Sequence, residues 1–232
     1  MKNKTITLLL PTMNEIDGFR KIFPQINRDL FDEILVIDGK STDGTIKFAN
    51  ENNLNIVTQS KKGLGAAVME AMDIIKTDCV IEFSLDGNCM IEQLEELVEK
   101  LREGKDLVVV SRYLPPAISY DDTYITALGN KIFTMLISAL GKYKATDTLT
   151  IYRGFDVKIA RYPEFKKVMY GPVFEPLISA VALKRNLTIY EIPGDEPARI
   201  GGTSKMSVIY NGLCITMMIV RMYIFKILKI MI

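Results

Sequence analysis

Three apolar runs in the first part of the chain are each followed at once by a polar turn that carries an acidic residue. The runs at 6–10, 34–37 and 79–85 precede the turns at 11–15, 38–45 and 86–88. Runs of this length are typical of strands, and the segments between them have the apolar periodicity of helices. Alternation of strands with helices predicts an α/β fold with a mostly parallel sheet. Because the carboxyl ends of parallel strands meet at one edge, we expect the three turns to lie together there.

The remaining elements follow from the same patterns. Beyond residue 111 the alternation ends, and a loop rich in proline, glycine and charge is predicted at 193–204. We predict strands near 5–10, 33–38, 54–58, 79–85, 106–111 and 187–192. We predict helices near 15–29, 43–52, 65–76, 90–102, 125–140 and 174–184. We predict a main domain, 1–205, and a C-terminal segment, 206–232.

The composition argues against several classes of function. The 29 basic and 28 acidic residues nearly balance, so the overall charge does not favour a nucleic-acid partner. The three cysteines have no CxxC spacing, which argues against a disulfide framework or a zinc site and fits a reducing cytosol. The chain has no histidine, so its chemistry must use carboxylates, hydroxyls, Lys and Arg, or a hard metal ion. The first apolar run is too short for a signal peptide, so we expect no secretion.

The first two turns and a glycine-rich segment are candidates for nucleotide binding. Asn14 and Glu15 open a helix after the first strand, which suits either a helix cap or a ligand at the helix N-terminus. Asp38 ends the second strand, where it either caps a turn or accepts hydrogen bonds from a base or a ribose. Gly63 and Gly65 follow Lys62 and would let a helix start close to a sugar nucleotide.

The third turn and a basic loop are candidates for metal and phosphate binding. Asp86 and Asn88 place a carboxylate and an amide oxygen two residues apart, and both can reach a Mg²⁺ or Mn²⁺ that also binds a diphosphate. The alternative is a simple Asp-Gly turn. Arg199 begins a loop with glycines, hydroxyls and Lys205, and such loops can close over phosphates. The alternative is a solvated loop before the C-terminal segment.

Together these motifs stand in an order that resembles glycosyltransferase family 2, close to the dolichyl- or polyprenyl-phosphate sugar synthases. The resemblance covers about residues 5–205, and its serial order makes it more specific than any single motif. The chain departs from the family at Asn88, where an aspartate is usual, and at Gly39, where the second acid of an Asp-Asp pair is frequent. The matching residues are Pro11, Asn14, Glu15, Asp38, Ser41, Thr42, Asp43, Gly44, Thr45, Gly63, Leu64, Gly65, Asp86, Gly87, Asn88, Ser111, Arg112, Tyr113, Asp147, Thr150, Arg153, Arg199, Gly202, Ser204 and Lys205.

The resemblance implies a GT-A fold, which is Rossmann-like, and an inverting transfer of a sugar from a UDP-, GDP- or dTDP-sugar. Asp86 would bind the divalent cation together with Asn88, and Arg199 and Lys205 would contact phosphate during catalysis. The nucleotide-sugar site would comprise Pro11, Thr12, Asn14, Glu15, Asp38, Lys62, Gly63, Gly65, Asp86, Gly87 and Asn88. The acceptor and the phosphates would be bound by Ser111, Arg112, Arg153, Arg199, Ser204 and Lys205.

The C-terminal segment is strongly apolar, with only Arg221, Lys226 and Lys229 charged. At about 100° per residue these basic side chains lie within an arc of roughly 140°, which predicts an amphipathic helix. We expect this helix to lie on the cytosolic face of a membrane with its cations near anionic headgroups. Packing on the domain or on a second copy of the chain and a tilted membrane span are the alternatives.

We predict transfer of the sugar to a polyprenyl phosphate, as in the synthesis of cell-envelope glycans. A phosphate acceptor is already anionic near neutral pH, so it needs no strong general base, which suits a chain without histidine. One alternative is transfer to a hydroxyl of a glycan or a lipid-linked sugar, for which Glu175 is the candidate catalytic base. The other is a non-catalytic protein that binds a nucleotide sugar.

Overall fold

The computed structural model describes residues 4–200 and 207–227, so Ser204 and Lys205 of the predicted phosphate-binding loop lie outside the described residues. The described part contains a seven-stranded sheet and nine α-helices. The strands are Ile6–Thr12 (β1), Glu33–Asp38 (β2), Asn55–Thr58 (β3), Cys79–Glu82 (β4), Leu107–Ser111 (β5), Arg153–Asp156 (β6) and Ile189–Pro193 (β7). The helices are Ile16–Ile22 (α1), Thr45–Glu51 (α2), Leu64–Ile74 (α3), Leu94–Arg102 (α4), Tyr124–Ser138 (α5), Lys158–Arg161 (α6), Pro163–Val168 (α7), Phe174–Lys184 (α8) and Val208–Ile227 (α9).

The order of strands in the sheet is β3-β2-β1-β4-β6-β5-β7. Neighbouring strands are parallel except at β6, which runs antiparallel to both β4 and β5. This confirms the predicted α/β fold with a mostly parallel sheet. In the register of β1 and β2, Thr12 lies beside Asp38, and the N–H of Phe83 continues the β4 pairing with the carbonyl of Leu9. The turns that follow β1, β2 and β4 therefore share one edge of the sheet.

Each predicted strand and helix is present, and the differences lie at boundaries and in short elements. The helix predicted over 15–29 ends at Ile22, and a 3₁₀ turn that contains Pro24 follows it. Proline lacks the N–H that would continue the α-helical hydrogen bonds, so it favours the change. The strand predicted to reach residue 85 ends at Glu82.

Strand β6 and the short helices α6 and α7 have no counterpart in the sequence prediction. The four residues of β6 read Arg-Gly-Phe-Asp, with charges at both ends and no apolar run. Gly154 lies in its centre, where an added Cβ would be 2.7 Å from Leu101 Cδ1 and 3.0 Å from Ile81 Cγ1. The extended conformation of β6 is therefore determined by its packing against the neighbouring strands and α4, and its local sequence does not predict it.

Apolar side chains pack on both faces of the sheet. Along β1, Leu8 and Leu10 belong to the core that includes α1, α2 and α4, whereas Leu9 belongs to the core that includes α3 and α5 to α9. This alternation is the period of two that a strand buried on both faces requires. The two cores fix the strands whose carboxyl ends carry the polar turns.

Helix α9 packs into the same core as the main domain. Met218 and Met222 have no exposed surface, whereas Ile209 and Leu213 on the opposite side are 79% and 65% exposed. A helix that only packs on a core has a polar exposed side, whereas the exposed side of α9 is apolar. Within residues 4–200 and 207–227, no helix has both the length and the apolar character needed to cross a membrane.

The structure places two of the three basic residues that were expected near headgroups against the main domain instead. Lys226 Nζ donates to the carbonyls of Ala139 and Leu140 at 2.9 and 3.1 Å, and the guanidinium of Arg221 lies over the ring of Tyr170. Lys229 lies outside the described residues.

Candidate active site

The turns after β1 and β2 are hydrogen-bonded to each other. The N–H of Asn14 donates to Ser41 Oγ, and the N–H of Thr42 donates to Asn14 Oδ1, both at 2.8 Å. Asn14 has a φ of +56°, a left-handed conformation that asparagine tolerates better than most residues. The N–H of Glu15 donates to Thr45 Oγ1 at 3.2 Å. The two turns therefore form one unit at the sheet edge.

Asp38 holds this unit together from the inside. Its carboxylate accepts hydrogen bonds from the N–H and Oγ of Ser41 at 2.8 and 2.5 Å, and from Thr12 Oγ1 at 3.3 Å. Asp38 has no exposed surface, and Pro11 and Thr12 are buried as well. A nucleoside would reach the Asp38 carboxylate only if the turn at 39–44 opened. The capped turn explains this geometry, and contact with a nucleoside stays a prediction.

The glycines before α3 serve the backbone and the packing of that helix. Gly63 has a φ of +108°, which favours glycine. A Cβ on Gly65 would lie 2.6 Å from the carbonyl oxygen of Gly171, in the turn before α8. Gly65 thus lets α3 approach this turn closely. Lys62 is exposed, and its predicted contact with the donor stays a prediction.

Two segments that are distant in sequence contact the turn after β4. Asp86 Oδ2 lies 3.2 Å from Arg199 Nη1, and Arg199 Nε donates to Asp121 Oδ2 at 3.2 Å. Asn88 Nδ2 donates to the same Asp121 oxygen at 3.1 Å. The N–H of Ile200 donates to the carbonyl of Asp86 at 2.6 Å and holds the segment after β7 over the turn. We call Asp86, Asn88, Asp121 and Arg199 the carboxylate–arginine cluster.

The oxygen atoms of this cluster fit a hard divalent cation. Carboxylate and amide oxygens are the ligands that Mg²⁺ and Mn²⁺ prefer. Asn88 Oδ1 is buried and has no hydrogen-bond partner among the described residues. Those residues contain no group of three His, Cys, Asp or Glu side chains that could hold a metal ion. In the present geometry the guanidinium of Arg199 supplies the positive charge between the two carboxylates.

Arg112 is engaged by acidic partners. It forms a two-pronged pair with Asp147, with Nε–Oδ2 at 2.7 Å and Nη2–Oδ1 at 3.1 Å, and its Nη1 lies 3.5 Å from Glu196. Burial alone would raise the pKa of Asp147, but Arg112 and backbone N–H groups lower it below its ordinary value. Ser111 is buried, and its Oγ contacts Thr146 Oγ1 at 2.6 Å. Both side chains are therefore engaged by other groups of the protein, and their contact with a phosphate or an acceptor stays a prediction.

The structure does not support the prediction that Arg153 binds a phosphate. Its side chain has no exposed surface, which the sequence did not indicate. Its Nε donates to the carbonyl of Thr150 at 2.8 Å, and Nη1 donates to the carbonyl of Glu175 at 2.6 Å and to Ser179 Oγ at 2.7 Å. Nη2 donates to the carbonyl of Thr148 at 3.3 Å. Arg153 is therefore a structural residue that ties β6 to α8.

Glu82 and Glu175 are buried carboxyl groups beside this guanidinium. Glu82 lies opposite Arg153 in the β4–β6 pair, and neither of its oxygens has a hydrogen-bond partner within the described chain. Burial, together with repulsion from Glu175, raises the pKa of Glu82 well above its ordinary value, although Arg153 acts in the opposite direction. Burial also raises the pKa of Glu175. Two carboxyl groups that face a single guanidinium favour the retention of a proton.

The sequence analysis did not single out three acidic residues of this region. Asp121 lies in the loop between β5 and α5, and its sequence signal is that this loop follows a strand that ends at the edge with the polar turns, which we call the active edge. Glu82 is a charge within an apolar run, which signals a buried partner. Glu196 lies between β7 and Arg199 and accepts a hydrogen bond from Ser119 Oγ.

A mostly parallel α/β sheet with carboxylates at its carboxyl edge is the arrangement expected of the GT-A class of nucleotide-sugar enzymes. A family model described as glycosyl transferase family 2 matches residues 7–162, which is more than half of the chain. The protein therefore belongs to glycosyl transferase family 2 and is a glycosyltransferase.

Three known proteins are similar to this chain in sequence. Glycosyltransferase AglJ of Haloferax volcanii is 31% identical over 154 residues, which span 65% of this chain but only 50% of that protein. UDP-N-acetylglucosamine–dolichyl-phosphate N-acetylglucosaminyltransferase of Methanococcus voltae is 24% identical over 217 residues, covering 83% of this chain and 86% of that protein. Polyprenol monophosphomannose synthase of Mycolicibacterium smegmatis is 25% identical over 212 residues, covering 86% of this chain and 80% of that protein.

The fold is also that of solved structures. Glucosyl-3-phosphoglycerate synthase from Mycobacterium tuberculosis in complex with Mg²⁺ and UDP has a TM-score of 0.71 at 18% identity, covering 95% of this chain and 80% of that one. The same enzyme with Mn²⁺, UDP and phosphoglyceric acid has a TM-score of 0.70 at 19% identity, covering 94% and 78%. At this level of identity the likeness shows the fold alone.

Replacing Glu82 by glutamine should make stability depend less on pH. Since the pKa of Glu82 is raised by folding, its contribution to stability is present below the ordinary glutamate pKa and is lost as the pH rises towards the raised value. We expect the free energy of unfolding of Glu82→Gln, relative to the unchanged protein, to increase between pH 5 and pH 8. Within that window the slope is at most about 1.4 kcal/mol per pH unit.

Urea denaturation at both pH values measures this difference. Glu95→Gln on the exposed side of α4 is the control, because it removes a carboxylate that is in water in both states. A Glu82→Gln difference that is the same at pH 5 and pH 8 would contradict the assignment of a raised pKa.

Proposed function

We propose that this glycosyltransferase moves a sugar from a nucleoside-diphospho-sugar to a polyprenyl phosphate, with inversion at the transferred carbon. One observation carries the proposal. Two relatives that match 83% and 86% of the chain are named for dolichyl-phosphate or polyprenol acceptors. The UDP and the divalent cations named in the neighbouring structures support a nucleoside diphosphate donor with a metal ion. The UDP-, GDP- and dTDP-sugars are all donors to be tested.

The carboxylate–arginine cluster supplies the groups for the leaving diphosphate. Asp86, with the amide oxygen of Asn88, would hold Mg²⁺ or Mn²⁺, which when bound neutralises charge on the leaving group. Arg199 is one-third exposed, so its guanidinium is able to leave the carboxylates and pair with a phosphate. Because the N–H of Ile200 is bonded to the Asp86 carbonyl, the backbone beside Arg199 stays in place during such a movement.

A phosphate acceptor is compatible with buried carboxyl groups that retain a proton and therefore do not act as bases. Such an acceptor is already an anion near neutral pH, so positioning and charge stabilisation are sufficient for transfer. Glu175 is only 8% exposed and lies beside Arg153 and Glu82, which is a poor location for contact with a bulky acceptor.

The second candidate is transfer to a hydroxyl group, and one observation favours it. Glu175 Oε1 has no hydrogen-bond partner among the described residues, and burial raises the pKa of Glu175. A carboxylate with a raised pKa is a better general base. The two candidates differ in whether Glu175 takes part in the transfer.

A product assay on the full chain distinguishes the two candidates. We expect a lipid-phosphate sugar from polyprenyl phosphate and one of the nucleotide sugars, loss of the product in EDTA, and loss in Asp86→Ala. The Glu175→Gln variant should retain activity within about threefold, because a phosphate needs no base.

The control for this assay is Glu95→Gln, which makes the same change on the surface. A loss of about a hundredfold or more in Glu175→Gln, with UDP binding intact, would favour a hydroxyl acceptor. Nucleotide-sugar binding without any product would favour the non-catalytic alternative.

We propose in addition that the enzyme lies on the cytosolic face of a membrane through α5 and α9. Both helices expose apolar side chains, including Ile125 at 78%, Leu128 at 60% and Leu213 at 65%. The helices are adjacent, since Tyr223 of α9 donates to the carbonyl of Leu136 of α5 at 2.8 Å. We call the exposed apolar residues of the two helices the α5–α9 face.

Basic residues border this face. A cleft of about 500 Å³ beside α5 is lined in part by Lys131, Lys142 and Lys144. Apolar side chains flanked by lysines match the acyl boundary and the anionic headgroups of a membrane surface. Exposed apolar residues that lie together on adjacent helices mark an interaction surface more often than scattered ones do.

Leu213→Glu should weaken binding to vesicles that contain anionic lipid. A carboxylate in the α5–α9 face would have to enter the lipid boundary and would repel the headgroups. Flotation with vesicles measures the bound fraction, and Asn50→Glu on the exposed side of α2 is the control with the same added charge. Equal flotation of both variants would contradict membrane binding through this face. The face would instead be an interface between copies if the unchanged protein formed a dimer and did not bind vesicles, and if Leu213→Glu made it a monomer.

A further inference from the structure

The carboxylate–arginine cluster contains a second carboxylate that comes from outside the metal-binding turn. Asp121 lies in the loop between β5 and α5, 33 residues from Asn88, yet its Oδ2 accepts from Asn88 Nδ2 at 3.1 Å. The same oxygen accepts from Arg199 Nε at 3.2 Å. Asp86 contacts Arg199 from the other side, with Oδ2 at 3.2 Å from Nη1. A single guanidinium thus bridges two carboxylates of different segments.

An unpartnered oxygen points to a ligand at this place. Asn88 is only 9% exposed, and its hydrogen bond to Asp121 directs the side-chain amide into the cluster. Its Oδ1 is buried without a hydrogen-bond partner in the described part of the chain. A buried acceptor without a partner destabilises the fold. A cation would satisfy this oxygen, whereas the guanidinium of Arg199 is bonded to the two carboxylates.

The charge of the cluster also favours a cation. Two carboxylates face one guanidinium, so one negative charge remains uncompensated within the cluster. Arg199 is 33% exposed and is held by one contact on each side, and Asp121 is 35% exposed. Arg199 is the cation of the cluster, so it is the group that a bound metal ion would repel and replace.

We propose that Asp121 is the second carboxylate of the divalent cation site, that Asn88 Oδ1 is its neutral ligand, and that Arg199 is an internal cation that the metal displaces. Asp121 then compensates for the amide at Asn88, since two carboxylates bind Mg²⁺ or Mn²⁺ more tightly than one carboxylate and an amide. The displaced guanidinium is free to pair with the diphosphate of the donor. The last step rests on the proposed function, whereas the metal site itself does not.

The proposal is tested by the affinity of the full chain for Mn²⁺ in the absence of nucleotide. The signal of free aqueous Mn²⁺ in electron paramagnetic resonance measures the unbound fraction. Asp121→Asn should weaken the affinity roughly tenfold or more, because it removes one carboxylate ligand. Asp122→Asn is the matched control, since Asp122 is bonded to Tyr113 and Asn130 outside the cluster. It should bind Mn²⁺ like the unchanged protein.

Arg199→Gln gives a result of the opposite sign. We expect it to bind Mn²⁺ more tightly than the unchanged protein, because no internal cation has to be displaced. Tighter binding would not result if Arg199 merely supported the structure of the turn. Equal affinity in Asp121→Asn and Asp122→Asn, or weaker binding in Arg199→Gln, would overturn the proposal. Mn²⁺ binding as expected without a lipid-linked product would leave this site intact and contradict only the proposed function.

Discussion

The fully buried guanidinium of Arg153 is the interaction on which the active edge depends. It donates to the carbonyls of Thr148, Thr150 and Glu175, and so joins β6, the turn before it and the first turn of α8. A buried guanidinium is costly unless its donors are paired, so each of these segments is held where it can accept a bond. The antiparallel β6 in turn separates β4 from β5 and sets the distance between the segments that carry Asp86 and Asp121.

Two further arginines compensate the acidic groups at this edge, and they differ in exposure. Arg112 is only 11% exposed and is bonded to Asp147 and Glu196, which makes it a fixed part of the scaffold. Arg199 is 33% exposed and bridges Asp86 and Asp121 by contacts of 3.2 Å. The proposed binding of a cation and a diphosphate needs one positive group that can exchange and another that stays in place. The exposure of Arg199 and the burial of Arg112 suit these two roles, and this difference links the fold to the proposed transfer of a sugar.

The fold could be predicted where the information is local, and the order of the polar motifs also predicted the family. The site could be predicted only in part, because the sequence shows that a residue is charged but not what surrounds it. Arg153 was predicted to bind phosphate although it has no exposed surface. Strand β6 owes its conformation to its neighbours, and Asp121 reaches Asn88 only through the packing of two loops.

Calorimetric titration of the full chain with UDP, GDP and dTDP, in the presence and absence of Mn²⁺, tests most directly whether this edge is a nucleoside diphosphate site. We expect at least one nucleotide to bind and Mn²⁺ to strengthen its binding roughly tenfold or more, because the cation joins the cluster to the diphosphate. The failure of all three nucleotides to bind in Mn²⁺ would contradict the assignment of the edge and of the enzyme's donor.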